Sequence, residues 1–313
     1  MTHWKKTAGI GVLCGLLAGV ATAQEPASCQ QVRFAEIGWA DITATTGVAM
    51  TLAEGLGYKP NKVMASVPIA FAGIKSGQID AFLGYWAPSM DSVIEPFVKD
   101  GSVKVLETPN LQGAKYTLAV PTYLAEAGLT RFEDIARFKD ELGGRIYAIE
   151  PGNDGNLLIE QMIRNDQFGL RGFRMVESSE AGMLVQVSRA VKRQEPVVFL
   201  GWAPHPMNSQ FDITYLAGGD DVFGPDFGAA QVYTVVPPTY EARCANVGRL
   251  LNNLQFSVEI ESELMEQGEK ADPMVVARNW IRANPAMLDQ WLAGVTTFDG
   301  SDANAAVKAH VGL

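Results

Sequence analysis

The chain has 313 residues, 47% of them hydrophobic and 19% charged, with 25 Lys and Arg against 35 Asp and Glu for a formal net charge of −10. That leaves room for two domains with sizeable cores and excludes an intrinsically disordered chain. The acidic balance argues against nucleic acid and other polyanions as partners and mildly favours small cations.

Residues 1–23, MTHWKKTAGIGVLCGLLAGVATA, place Lys5 and Lys6 before a short apolar run ending in Ala21-Thr22-Ala23. They read as a cleavable secretory signal, the run being too short to span a membrane. Cys14 follows Leu13 inside that run instead of a small residue at its end, so no lipid anchor is expected. Loss of Lys5 and Lys6 moves the net charge from −10 to −12. Only Cys29 and Cys244 then remain, and in an exported chain such a pair reads most simply as a disulfide, two free thiols being the alternative. A bridge would put the first and last portions of the mature chain in one domain.

From there helices and strands alternate. VRFAEI (32–37) reads as a strand, 42–58 as an amphipathic helix ending at Gly57, VMASV (63–67) as a strand, 66–77 as a helix with Pro68 in its first turn, and IDAFLG (79–84) as a strand. The rhythm resumes with KYTLAV (115–120), a helix over 131–142, RIYAIE (145–150), a helix over 155–168, FRMVES (173–178), a helix over 181–193 and PVVFLG (196–201). The chain is extended again over 229–237 and almost wholly helical afterwards. This alternation predicts largely parallel sheets covered by helices on both faces, twice over. Crossings near Gln112 and Ala230 divide the chain into a leader (1–23), one lobe from 24–112 and 231–313, and a second lobe over 113–230, with a hinge between them.

In open α/β sheets, ligands sit beyond the carboxyl ends of the strands. Trp39 follows the first strand; Trp86 and Trp202 follow the strands IDAFLG and PVVFLG, inside the near-repeats FLGYWAP (82–88) and FLGWAP (199–204); Tyr116 opens the strand after the first crossing. Each ring alone could simply pack a loop against its own domain, whereas three tryptophans at strand ends in both halves point to a shared site. Trp280 and Trp291 have amphipathic spacing in the helical tail and read as core. An aromatic cluster at a cleft can be a sugar platform or a cation cage, and a quaternary ammonium suits a cage best because it has no N–H bonds to water to lose. Asp41 reads as the N-cap of the helix starting at Ile42, as an acceptor for a ligand hydroxyl, or as both. In EPGNDGN (150–156) a phosphate loop is a weak reading, and Asn153 either projects its amide into the cleft or caps the next helix. GGDDVFGPDFG (218–228) lacks the geometry of a calcium loop, so no metal is expected.

For an enzyme the inventory is poor. The mature chain keeps His205 and His310 alone, neither a two-histidine metal helix nor a convincing Ser/His/Asp arrangement can be built, and G-x-S-x-G is missing. His205, between prolines in APHP, reads as a structural hydrogen-bonding residue. No catalytic residue and no cofactor are expected.

Taken together, GWADI, FLGYWAP, AKYTLA, IEPGNDGN and VFLGWAPHPMN resemble the quaternary-amine-binding proteins of bacterial ABC importers, the periplasmic choline-binding proteins above all. The resemblance covers essentially the whole mature chain. It implies an α/β, two-domain periplasmic-binding-protein fold with a hinge and an interdomain cleft, closing around choline in an aromatic box. Carried over, the box is Trp39, Trp86, Tyr116 and Trp202, with Asp41 and Asn153 near the ligand hydroxyl; Tyr85 and Ala87 depart from the family pattern beside Trp86. The expectation is a periplasmic monomer that hands choline to a membrane permease. Glycine betaine, carnitine or acetylcholine are alternative ligands, and an exported choline-ester or glycan hydrolase is the alternative from another class.

Overall fold

Described in the computed structural model are Met1 and residues 25–268 and 270–313; the rest of the expected leader, with Cys14, lies outside the described residues. After a 3-10 turn at Ala27–Cys29 come β1 (Gln31–Glu36), α1 (Ala40–Gly55), β2 (Lys59–Met64), α2 (Val67–Lys75), β3 (Phe82–Ala87), α3 (Asp91–Lys99) and β4 (Lys104–Val105). The middle holds β5 (Leu111–Pro121), α4 (Thr122–Glu126), β6 (Arg145–Tyr147), α5 (Asp154–Arg164), β7 (Arg174–Val176), α6 (Glu180–Arg193), β8 (Phe199–Ala203), α7 (Met207–Gln210) and β9 (Ile213–Tyr215). Short helices α8 (Asp220–Phe223) and α9 (Pro225–Gly228) lead into β10 (Ala229–Val236). The tail is α10 (Tyr240–Arg243), α11 (Ala245–Asn253), α12 (Val258–Gly268), α13 (Pro273–Ala283), α14 (Met287–Trp291) and α15 (Ala303–Val311).

Local chemistry explains several helix starts. Pro68 sits in the first turn of α2, where a missing N–H costs nothing. The side chains of Asn153, Ser179, Asp272 and Asp302 accept backbone N–H groups at the starts of α5, α6, α13 and α15. The helix expected over 131–142 is instead a 3-10 helix, Phe132–Phe138. There the Asp134 carboxylate accepts the N–H groups of Thr130 and Arg131, and Gly143 and Gly144 take positive φ just beyond.

The sheets depart from the expected pair of largely parallel ones. β1 and β2 pair parallel by themselves, while the other strands form one mixed sheet in the order β3-β10-β5-β8-β6-β7. β10 runs antiparallel to β3, β4 and β5, and β5 runs antiparallel to β8 and β9. Parallel pairing survives at β6 with β7 and β8. The reason is that the two segments expected to cross between lobes lie side by side: Ala230 faces Ala114 and Gln231 faces Gln112, with a bulge between the two pairs. Periodicity along the chain carries no information on such a pairing between distant strands.

Apolar side chains gather into two clusters. One follows the mixed sheet from Ala35 to Val235. The other packs the tail helices around α1, whose buried face runs from Asp41 to Ala53, and includes Trp280 and Trp291. A disulfide joins Cys29 to Cys244 across 215 residues, tying the start of the described chain to the tail.

Candidate functional site

The ends of β3 and β8, the middle of β5 and the starts of α1 and α5 converge on one pocket. Trp39, Asp41, Trp86, Tyr116, Asn153 and Trp202, the six residues singled out in the sequence, all line it. Met90, Ile149 and Asp154 complete the lining. Asp154 lay within the polar stretch 150–156 beside Asn153, the residue singled out there, and nothing in the sequence marked Met90 or Ile149.

The two near-repeats enter the sheet alike. Trp86 lies in β3 and Trp202 in β8, within the strands and not after them, because β3 runs three residues and β8 two residues past the expected end. Both are followed by cis Ala-Pro bonds, Ala87–Pro88 and Ala203–Pro204. The preceding glycines are there for space: a Cβ on Gly84 would meet Ile42 at 2.5 Å, and one on Gly201 would meet Ala119 at 2.8 Å. Tyr116 pairs with Trp202 across β5 and β8. Its ring centre is 6.0 Å from that of Trp86 and 6.1 Å from that of Trp202, the second contact edge-to-face. The rings thus form adjoining walls instead of stacking into one another.

Polar groups fix the walls. Trp86 donates its indole N–H to Asp41 Oδ2 (3.2 Å), and Tyr116 donates its hydroxyl to Asn153 Oδ1 (2.9 Å). Asn153 also caps α5 through Asn156 N–H and donates Nδ2 to Asp154 Oδ1, so capping and pocket roles coexist. Asp41 is not the N-cap: α1 begins at Ala40 with Trp39 in the cap position, and Asp41 sits in the first turn. Its Oδ1 is buried without a partner, and so is Oδ2 of Asp154. Trp39 donates its indole N–H to Glu150 Oε1 at 2.9 Å.

The electrostatics are one-sided. Burial pushes the Asp41 carboxyl up to about 7, with the charge of Glu180 adding to the effect and the Trp86 N–H opposing it. Burial likewise raises Asp154 to about 6, with a further upward push from Glu150. The hydroxyl of Tyr116 and the carboxyl of Glu150 are raised for the same first reason. Among the described residues no lysine or arginine lines the pocket. Two desolvated carboxylates with spare lone pairs face aromatic walls and lack a counter-charge, an environment that a cation would complete. Among the described residues no group of three or more His, Cys, Asp or Glu side chains could hold a metal ion.

Residues 30–283 match the family model for the substrate binding domain of ABC-type glycine betaine transport systems. A solved ABC-transporter choline-binding protein in complex with choline is 52% identical, with a TM-score of 0.90 over 92% of this chain and 100% of that one. The lactococcal glycine betaine-binding protein in its closed, liganded form is 24% identical with a TM-score of 0.75 over 83% and 98%, a likeness of fold. The Listeria monocytogenes glycine betaine/carnitine transport binding protein is 27% identical over 164 residues, 52% of this chain and 54% of its own length. The architecture is therefore the two-domain fold of extracytoplasmic solute receptors, and the chain belongs to the family of substrate-binding domains of ABC importers for glycine betaine and related quaternary amines.

Proposed function

We propose that this receptor captures choline in the box of Trp39, Trp86, Tyr116 and Trp202, with Asp41 and Asn153 serving the ligand hydroxyl, and presents it to a membrane permease. The observation that carries the reading is the pairing of aromatic walls with two buried carboxylates, Asp41 and Asp154, in a lining that among the described residues holds no lysine or arginine. A trimethylammonium group gains about 0.5–2 kcal/mol per desolvated ring face. The carboxylates supply its counter-charge, and the Asp41 oxygen without a partner can accept the ligand's hydroxyl proton. Further support comes from the ligand in the 52% identical structure.

Glycine betaine is the second reading, favoured by the family model. Its carboxylate would have to settle beside Asp41 or Asp154, with no cationic side chain among the described lining residues to receive it. Calorimetry with choline, acetylcholine and glycine betaine at neutral pH tests the order. Choline binding tightest supports the proposal, and glycine betaine binding tightest overturns it. Ligand recovered unchanged after long incubation distinguishes a receptor from a choline-ester hydrolase.

The proposal includes the lobe division at Gln112 and Ala230 and a monomeric protein in the periplasm after removal of the leader. Trp39, Asp41 and Trp86 would then come from one lobe, and Tyr116, Asn153 and Trp202 from the other.

A further inference from the structure

Two carboxylates just outside the pocket reach across it without lining it. Glu150, after β6, takes the indole N–H of Trp39 at 2.9 Å. Glu180, the first residue of α6, takes the backbone N–H of Ala40 at 3.3 Å. Both donors stand at the start of α1, and its cap residue, Trp39, provides no side-chain acceptor. The first N–H groups of a helix need outside partners. Here one partner arrives from a segment more than a hundred residues away.

Glu180 is itself held in place. Met207 N–H donates to His205 Nδ1 at 3.0 Å, which leaves the ring proton on Nε2, 3.2 Å from Glu180 Oε1. The same imidazole packs edge-on against Trp202 with ring centres 4.9 Å apart. One turn after β8 thus steadies both a wall of the box and the carboxylate that caps α1.

We propose that Glu150 and Glu180 are positioning residues, a two-point latch that holds the lobes shut around the box and sets how long the ligand stays. The inference rests on the reading of the pocket as a closing ligand site. Neither carboxylate lines the pocket, so their hydrogen bonds act on closure and not on ligand contact. Trp39 is the point where the two meet, because its ring faces the pocket while its N–H serves the latch.

Removing either acid also changes the field felt by a cation, so the test compares substitutions of equal charge. Glu→Gln keeps an acceptor and Glu→Ala does not. Choline association and dissociation rates are followed by tryptophan fluorescence in stopped flow for Glu150→Gln, Glu150→Ala, Glu180→Gln and Glu180→Ala, with ligand-free melting temperatures alongside. At each position the Ala form should release choline about three- to tenfold faster than the Gln form, the worth of one neutral hydrogen bond. Association rates and ligand-free melting temperatures should match within each pair. Equal release rates for Ala and Gln at both positions overturn the latch, as does a difference accounted for by loss of ligand-free stability. A wild-type protein that ignores choline sinks the choline reading instead, and the same comparison is then run with glycine betaine.

Discussion

Trp86 and Trp202 in the box and Trp280 and Trp291 in the helical tail are equally buried, at 4%, 4%, 4% and 0% exposure. Their surroundings differ in what is left over. In the tail, Trp280 donates to Glu263 and Trp291 to the carbonyl of Gln255, the two rings lie 5.8 Å apart, and the remaining neighbours are apolar side chains. In the box, carboxylate oxygens remain without partners beside the rings. Burial therefore does not separate a core tryptophan from a pocket tryptophan. Unfilled hydrogen-bonding and charge capacity next to the ring does.

The strongest way to break that comparison is to exchange the expected losses. Trp291→Ala should lower stability by about 3–5 kcal/mol, as large core truncations do, and leave the choline affinity of the folded protein near wild type. Denaturant unfolding paired with calorimetry reads both. Trp86→Ala or Trp202→Ala should do the reverse, weakening choline by about 2–4 kcal/mol from lost cation–ring contact and apolar burial, with a smaller change in ligand-free unfolding. If a box variant keeps full affinity, the contrast between the regions collapses.

Asp41→Asn sharpens the contrast by removing charge without removing a wall. Choline should weaken by about 1.5–3 kcal/mol, the worth of a hydrogen bond to a charged group, and glycine betaine by less because its carboxylate loses a repulsive neighbour. Equal losses in titrations of both ligands would reduce Asp41 to a support for Trp86.

The smallest expected effect is on pH. Asp41 at about 7 and Asp154 at about 6 hold protons more tightly folded than unfolded, where carboxyls titrate near about 4. Their stabilising contribution is complete below that unfolded value and is lost as pH rises through about 6 and about 7. Glu261, buried close enough to feel the charge of Asp41, acts in the same direction. A cation prefers the ionised forms, so choline affinity should rise at least about tenfold from pH 5 to pH 8. The melting-temperature gain on adding choline should rise with it, and a flat profile would mean that the carboxylates do not face the ligand's charge.

Much of this was legible in the sequence, unevenly. The alternation of helix and strand was readable because each element carries its own period, as were the two cysteines and the echo around Trp86 and Trp202. The antiparallel ribbon of β5 and β10 was not, since its register is set between residues more than a hundred positions apart. The same holds for Glu150 and Glu180: each looks like an ordinary acid at a strand end or helix start, and its partners belong to α1. Asp41 was singled out, but its assignment as an N-cap failed because α1 starts two residues earlier, at Ala40.

Gly155 sets a limit of another kind. A Cβ there would lie 2.1 Å from the Tyr116 hydroxyl, so the tip of that ring abuts main chain with no side chain between. A wall backed by a flexible side chain can retreat before a bulkier guest, whereas one backed by a helix backbone cannot. Tyr116 is thus a fixed stop, and ammonium ions should be sorted by girth abruptly on its side of the box, where N-ethyl groups meet a surface that does not yield.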